Sequence, residues 1–193
     1  MRPLLLASTS RWRRKLLEDA GISVACEAPG VDERAVQIAD PVRLARELAA
    51  RKADVVGGRY PGRWVLGADQ VAHLDGEIFG KPEDPDDHRA RLRSLRGRAH
   101  ELVTGWALRG PGEPLTAHVT TRMLMRDDVS DAEIDAYVAS GEADGCAGGY
   151  AIEGRGAFLF RQVDGDWFNV VGLPVLDVWT ALRARGWRFG EAG

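Results

Sequence analysis

The sequence predicts a single α/β domain, and three observations carry that prediction. Strand-like and helix-like segments alternate along the chain. No repeat, low-complexity linker or convincing boundary divides it, so residues 1–193 are taken as one domain. A chain of 193 residues, 45% hydrophobic and 28% charged, is long enough for one substantial core or for two lobes sharing one.

Taken in order, Leu4 to Ala7 reads as a short buried strand, followed by the polar turn Ser8-Thr9-Ser10 and a helix from Arg11 to Ala20 that ends at Gly21. Ile22 to Ala28 is a second strand, which Pro29-Gly30 breaks ahead of Val31-Asp32-Glu33. Asp40-Pro41 supplies an N-cap and an N1 proline for a helix running through Leu44, Leu48 and Lys52 towards Gly57. After a loop from Gly57 to Arg63, Val65 and Leu66 begin a core strand, and Asp75-Gly76 is a hairpin signal. Asp86 to Arg96 is a polar helix stopped by Gly97, and His100 to Leu108 and Leu115 to Met125 alternate as strands. Ser130-Asp131-Ala132-Glu133 is a capping box for a helix to Ser140. The glycine-rich tract Gly141 to Gly156 precedes a strand from Ala157 to Val163, a turn at Asp164-Gly165 and a strand near Trp167 to Val171. Pro174 to Arg185 closes the chain as an amphipathic helix.

Composition excludes several classes. A net charge of −3 argues against a nucleic-acid binder, which needs a basic footprint. Cys26 and Cys146 lie far apart in no metal-ligand spacing, so they read as packing residues in a reduced cytosolic setting. MRPLLLAS is too short an apolar run for a secretory signal, and no stretch approaches the roughly 18 apolar residues of a membrane span. A soluble cytoplasmic protein with no membrane partner is expected. His73, His88, His100 and His118 form no zinc-site pair, with His73 expected on the hairpin surface. Gly80-Lys81 is followed by Pro82 and makes no P-loop, and the glycine tract is not in GxGxxG order.

The chemistry-bearing residues start with Asp69, delivered by an apolar strand, and Lys81, returned by the hairpin. If Asp75-Gly76 alone forms the loop, Gln70 falls opposite Lys81 and Asp69 faces the other way. With a three-residue loop of Leu74, Asp75 and Gly76, closed by a left-handed glycine bulge, Asp69 falls opposite Lys81. A catalytic pairing favours that loop, or a bulge near Gly80. Upstream, Ser8-Thr9-Ser10 offers hydroxyls and free N–H groups at a helix start, yet Arg11, Arg13 and Arg14 follow at once. Cations there oppose the helix dipole by about 0.3–1 kcal/mol each, so a bound phosphate would account for them. Glu33 and Asp69 supply two carboxylates for a divalent cation, and Lys52 and Lys81 two amines for phosphate oxygens.

These residues belong to a recognisable pattern. LASTSRWRR (Leu6 to Arg14), VDE (Val31 to Glu33), GADQV with GKP (Gly67 to Pro82) and CAGGYAIEGRGAF through NVVGLP (Cys146 to Pro174) resemble, in order and over nearly the whole chain, the Maf family of nucleoside triphosphate pyrophosphatases. The resemblance implies a two-lobed α/β domain with a mixed sheet around a central cleft, similar to the inosine triphosphate pyrophosphatases and often a homodimer. It also implies hydrolysis of a nucleoside triphosphate substrate to the monophosphate and pyrophosphate with a divalent cation, Mg or Mn. On the matching positions Asp69 would be the proton acceptor, and Ser8, Arg13, Glu33, Lys52 and Lys81 the phosphate and metal residues.

Specificity in the family follows three positions near the base. The branch acting on dTTP and UTP typically has Arg, Thr and Gln there. Trp12, Gln70 and Glu153 resemble instead the branch that hydrolyses 7-methyl-GTP. A cationic 7-methylguanine stacked on Trp12 would gain about 0.5–2 kcal/mol, and Glu153 would accept charge-assisted bonds from its N1–H and amino group. Against this, Arg11 stands where that branch often has proline, and the sequence around Glu153 otherwise resembles the pyrimidine branch. The expectation is therefore a pyrophosphatase preferring 7-methyl-GTP. A broad or dTTP/UTP-preferring enzyme is the alternative within the class, and a non-catalytic nucleotide-binding regulator of cell division the alternative outside it.

Overall fold

The apolar runs assemble into a seven-stranded mixed sheet in the computed structural model, which describes residues 2–143 and 145–188. β1 (Leu4–Ala7) lies between β2 (Val24–Cys26) and β3 (Val65–Leu74), all parallel. β4 (Glu77–Phe79) hairpins back onto β3, whose other edge pairs antiparallel with β5 (Ala99–Arg109), followed by β6 (Leu115–Met125) and β7 (Phe160–Asp164).

One face is covered by α2 (Pro41–Arg59), started as expected by Pro41 and by Asp40, whose carboxylate accepts from the Arg43 N–H at 2.7 Å. Its buried residues Ala45, Leu48, Ala49, Lys52, Ala53 and Val56 recur every three or four positions, the spacing of one helix face. That face rests on glycines. A Cβ on Gly67 would lie 2.2 Å from the Ala49 carbonyl oxygen, and one on Gly105 would lie 2.3 Å from that of Ala45. Alanine over glycine lets the helix approach the sheet closely, and Lys52 rides down with it.

The opposite face carries two apolar cores. Leu4, Leu6, Leu66 and Trp106 pack with Leu17 of α1 (Arg11–Asp19) and Leu182 of α6 (Val175–Ala184). Farther along the same strands, Leu74, Leu102 and Met123 pack with Leu92 of α3 (Pro85–Leu95) and Ile134 of α4 (Asp131–Ala139). Between the cores the face turns polar. Thr104 and Asn169 are fully buried there, and the Gln70 amide donates to Asn169 O at 2.6 Å and to Thr104 Oγ1 at 3.2 Å. The two lobes are thus two hydrophobic cores on one sheet, parted by a hydrogen-bonded layer.

A cleft opens at that layer. β1 pairs with β3 as far as Ala7 opposite Gly67, and β4 pairs with it only from Ala72 opposite Phe79. Among the described residues no strand flanks this edge of β3 from Ala68 to Val71, so side chains from both of its faces reach the opening.

Several local expectations are corrected. Leu74 pairs with Glu77, so the hairpin loop is Asp75-Gly76 alone, with φ of 51° and 86°. Two successive left-handed residues are what a two-residue hairpin turn requires, and such a turn matches the right-handed twist of its strands. In this register Gln70 aligns with Lys81, and the ladder stops at Phe79 before reaching either. Trp167–Val171 forms a short helix, α5, because the Asp166 carboxylate caps the Phe168 N–H at 2.7 Å and Gly172, at φ 125°, ends it. The preceding strand starts only at Phe160, since a 3-10 turn takes Arg155–Leu159. β2 is shorter than expected, and α2 runs through Gly57 and Gly58 to Arg59. Asp144, within the glycine tract, lies outside the described residues. His73 is not on the surface: it is mostly enclosed and faces Glu101 across the ladder at 3.1 Å. Cys26 is exposed rather than packed, and Cys146 borders the cleft. No helix among the described residues is long and apolar enough to cross a membrane.

Candidate active site

The cleft encloses about 560 Å³ and is bordered by Ser8, Trp12, Arg13, Glu33, Lys52, Asp69, Gln70, Lys81 and Glu153, which include every sequence-predicted site residue. At its centre lies Lys52. Its ammonium donates to Asp69 Oδ1 at 2.5 Å and pairs with Glu33 Oε1 at 2.7 Å. Lys52 and Asp69 are buried, whereas the Glu33 side chain is 52% exposed. The hairpin partner proposed for Asp69 is therefore replaced by a helix partner: Asp69 stands two residues beyond Gly67 on the α2 face, where the close approach brings Lys52 to it.

The shared ammonium affects its two carboxylates differently. Burial pushes the Asp69 carboxyl above its ordinary value, against the pull of Lys52 and Arg13. At Glu33 burial also pushes upward, but the hydrogen bond and charge of Lys52, with Lys81 and Arg13, prevail and hold it below its ordinary value. The more enclosed acid is thus the better proton acceptor, and the more open one stays anionic.

The arginine-bearing turn divides its charges. Ser10 caps α1 by accepting from the Arg13 N–H at 3.4 Å, and Ser8 Oγ accepts from the Ser10 N–H at 3.1 Å. Arg13 turns inward, donating from Nε to Gly172 O at 2.9 Å and from Nη1 to Ser8 Oγ at 3.3 Å. Arg14 pairs with Glu18 on the surface at 2.7 Å, and the Arg11 guanidinium lies over the Trp12 ring at 4.5 Å. Lys81 is exposed on the segment following β4, and its charge is felt at Glu33. Arg13, Lys52 and Lys81 thus face one space from three elements, suited to a polyanion.

Gln70 and Asp69 face opposite ways, as expected of neighbours on a regular strand. A backbone carbonyl can only accept, so Asn169 O fixes the Gln70 NH₂ towards the polar layer. Glu153 borders the cleft exposed. Sequence reading missed further supports: Gly105 beneath α2, and Thr104 and Asn169 behind Gln70. Asn169 had one available signal, an Asp166 cap three residues ahead.

No group of three or more His, Cys, Asp or Glu able to hold a metal occurs among the described residues. Glu33 and Asp69 nevertheless converge on one cation already, the Lys52 ammonium, and Mg²⁺ in phosphate sites takes one or two carboxylates with phosphate oxygens and water. The donor set therefore fits a metal arriving with a phosphorylated substrate.

Residues 3–185 match the family model described as Maf-like protein. A dTTP/UTP pyrophosphatase of Thermus thermophilus is 45% identical over 186 residues, 96% of this chain and 96% of that protein. A dTTP/UTP pyrophosphatase of Symbiobacterium thermophilum is 44% identical, over 91% of this chain and 90% of that protein. Among solved structures, the Ham1 protein of Staphylococcus aureus gives a TM-score of 0.46 at 14% identity, covering 65% of this chain and 73% of that one.

Proposed function

The chain belongs to the Maf family, and from that premise we propose that it acts as one catalytic domain that hydrolyses nucleoside triphosphates to the monophosphate and pyrophosphate. The observation that carries the reading is the buried Lys52–Asp69 pair, extended by Glu33, in a cleft shared with Arg13 and Lys81. Asp69 orients water for attack at the α-phosphorus and accepts its proton, a role its burial-raised carboxyl favours. Arg13, Lys52, Lys81 and the Ser8 hydroxyl hold the β- and γ-phosphates while charge builds on the leaving pyrophosphate. A divalent cation, held by Glu33 and Asp69 with phosphate oxygens, would supply neutralisation of phosphate charge.

For the base, the relatives support dTTP or UTP better than the 7-methyl-GTP expected from Trp12, Gln70 and Glu153. Arg11 also tempers that expectation, since it already sets a cation over the Trp12 ring. The test is pyrophosphate release with Mg²⁺ or Mn²⁺ from dTTP, UTP, CTP, GTP and 7-methyl-GTP. Highest kcat/KM on dTTP or UTP, and a loss of about 10²–10⁴-fold in Asp69→Asn with the fold kept, are expected. Faster turnover of 7-methyl-GTP would reverse the base preference, and undiminished turnover in Asp69→Asn would remove that acid from the mechanism.

A further inference from the structure

Two stretches that border the cleft, Gly80-Lys81 and Gly145 to Tyr150, lie outside its helix–sheet framework, and both are tied to one helix that does not border it. His88 and Arg91, three residues apart on α3, share a face. His88 Nε2 lies 2.5 Å from Gly149 O, and a carbonyl only accepts, so Nε2 carries the proton. Arg91 Nη1 donates to Gly80 O, the residue before Lys81. Both side chains are held in turn. The Arg91 guanidinium lies 5.3 Å from the Phe79 ring centre and pairs with Asp87 at 3.4 Å, and its side chain is only 9% exposed. The His88 ring meets Tyr137 edge-on at 6.3 Å, and the Tyr137 hydroxyl accepts from the Ala151 N–H at 2.8 Å. Gly149 also lies close to Pro82, the residue after Lys81: an added Cβ there would lie 3.2 Å from the His88 ring and 3.4 Å from Pro82.

We propose that α3 is a positioning clamp for this site, in which Arg91 sets Lys81 through the Gly80 carbonyl and His88 sets the glycine tract through the Gly149 carbonyl. Neither touches substrate. The proposal rests on the reading that Lys81 holds the triphosphate, and it divides the consequences between two residues. Lys81 acts on charge that grows in the transition state, so loosening it lowers kcat; the tract borders bound nucleotide, so loosening it raises KM.

The experiment uses the full chain with Mg²⁺ and the best nucleotide of the panel, alongside amide hydrogen exchange without nucleotide. Arg91→Met should lower kcat ~10-fold at nearly constant KM and speed exchange at residues 79–81 only, with Arg91→Lys recovering part of both. His88→Phe, which keeps the ring but not the donor, should raise KM ~10-fold at nearly constant kcat and speed exchange in the tract. His88→Gln should restore it. Equal losses of kcat and KM effects in both variants, or unchanged exchange in folded protein, overturns the clamp. If the wild type releases no pyrophosphate, the functional reading falls, and the exchange pattern alone decides whether α3 holds the two stretches.

Discussion

The two sides of the cleft are built by different means. On one side Ser8, Arg13, Lys52 and Asp69 project from ends and faces of regular elements, with Lys52 and Asp69 fixed by alanine-on-glycine packing between α2 and the sheet. On the other, Lys81, Tyr150 and Glu153 stand on connecting segments held by side chains that grip main-chain atoms: Arg91 on Gly80, His88 on Gly149 and Tyr137 on Ala151. Packing of the first kind is hard to deform, because interiors are close-packed. Single hydrogen bonds of the second kind hold position at about 0.5–1.5 kcal/mol each and can be released one at a time. In the proposed mechanism the chemistry lies on the stiff side, and the exposed Lys81 and Glu153 stand on the tied side.

The strongest way to break this contrast is Lys52→Met. Removing the ammonium leaves Asp69 buried without its partner, and breaking such a pair costs about 3–5 kcal/mol. Urea unfolding should show that loss, together with abolished turnover; wild-type stability in the variant would mean the stiff side does not depend on its central pair.

Next comes acid on the tied side. His100 is buried with Nε2 2.6 Å from the Tyr150 hydroxyl, and burial lowers its pKa to about 4. The unfolded chain would take up a proton near the ordinary value of about 6.5, while the folded chain resists until about 4. Between these values the unfolded state binds more protons, so stability should fall as pH drops through the window, by on the order of 3 kcal/mol in all. His100→Gln should flatten this dependence in unfolding measured from pH 7 to pH 4. An equally steep slope in the variant would assign it to other groups.

Gly67→Ala tests the stiff side by volume. The new methyl meets the Ala49 carbonyl, so α2 must shift, at a cost of about 1–3 kcal/mol. Turnover should fall further than stability alone explains, since Lys52 moves with the helix. Tyr137→Phe should have the smallest effect, about 1 kcal/mol for the hydrogen bond to Ala151, with the loss appearing in KM rather than kcat. A kcat loss there would erase the distinction between the sides.

The same contrast governs what could be read from sequence. The stiff side was legible where its signals are local, in the Asp40-Pro41 start and the Ser8–Ser10 turn; the buried stripe of Ala45, Leu48, Ala49, Lys52, Ala53 and Val56 emerged only with the fold. Even so, Asp69 was offered the wrong amine. Hairpin register depends on loop length, and the Lys52–Asp69 pairing depends on how closely two distant glycines admit a helix, which no spacing encodes. On the tied side the chemistry-bearing residues could be named, but not the means of holding them, because His88, Arg91 and Tyr137 reach across 61, 11 and 14 residues to backbone atoms that carry no residue-specific signal. Trp167–Val171 misled for a related reason: an Asp166 cap and a closing Gly172 outweighed its strand-like composition.

The unpaired edge of β3 also makes that strand a ruler. Between Gly67, the last partner of β1, and Ala72, the first partner of β4, the chain takes five steps, about 17 Å at ~3.4 Å each. The span of the opening is therefore counted in whole residues, and it cannot be adjusted by a fraction. Deleting one residue from this stretch would shorten the opening by one step and also exchange the faces of everything beyond it, turning the acid away from its helix or the amide away from its layer. Loops elsewhere can lengthen or shorten freely, but this strand is bound to its number.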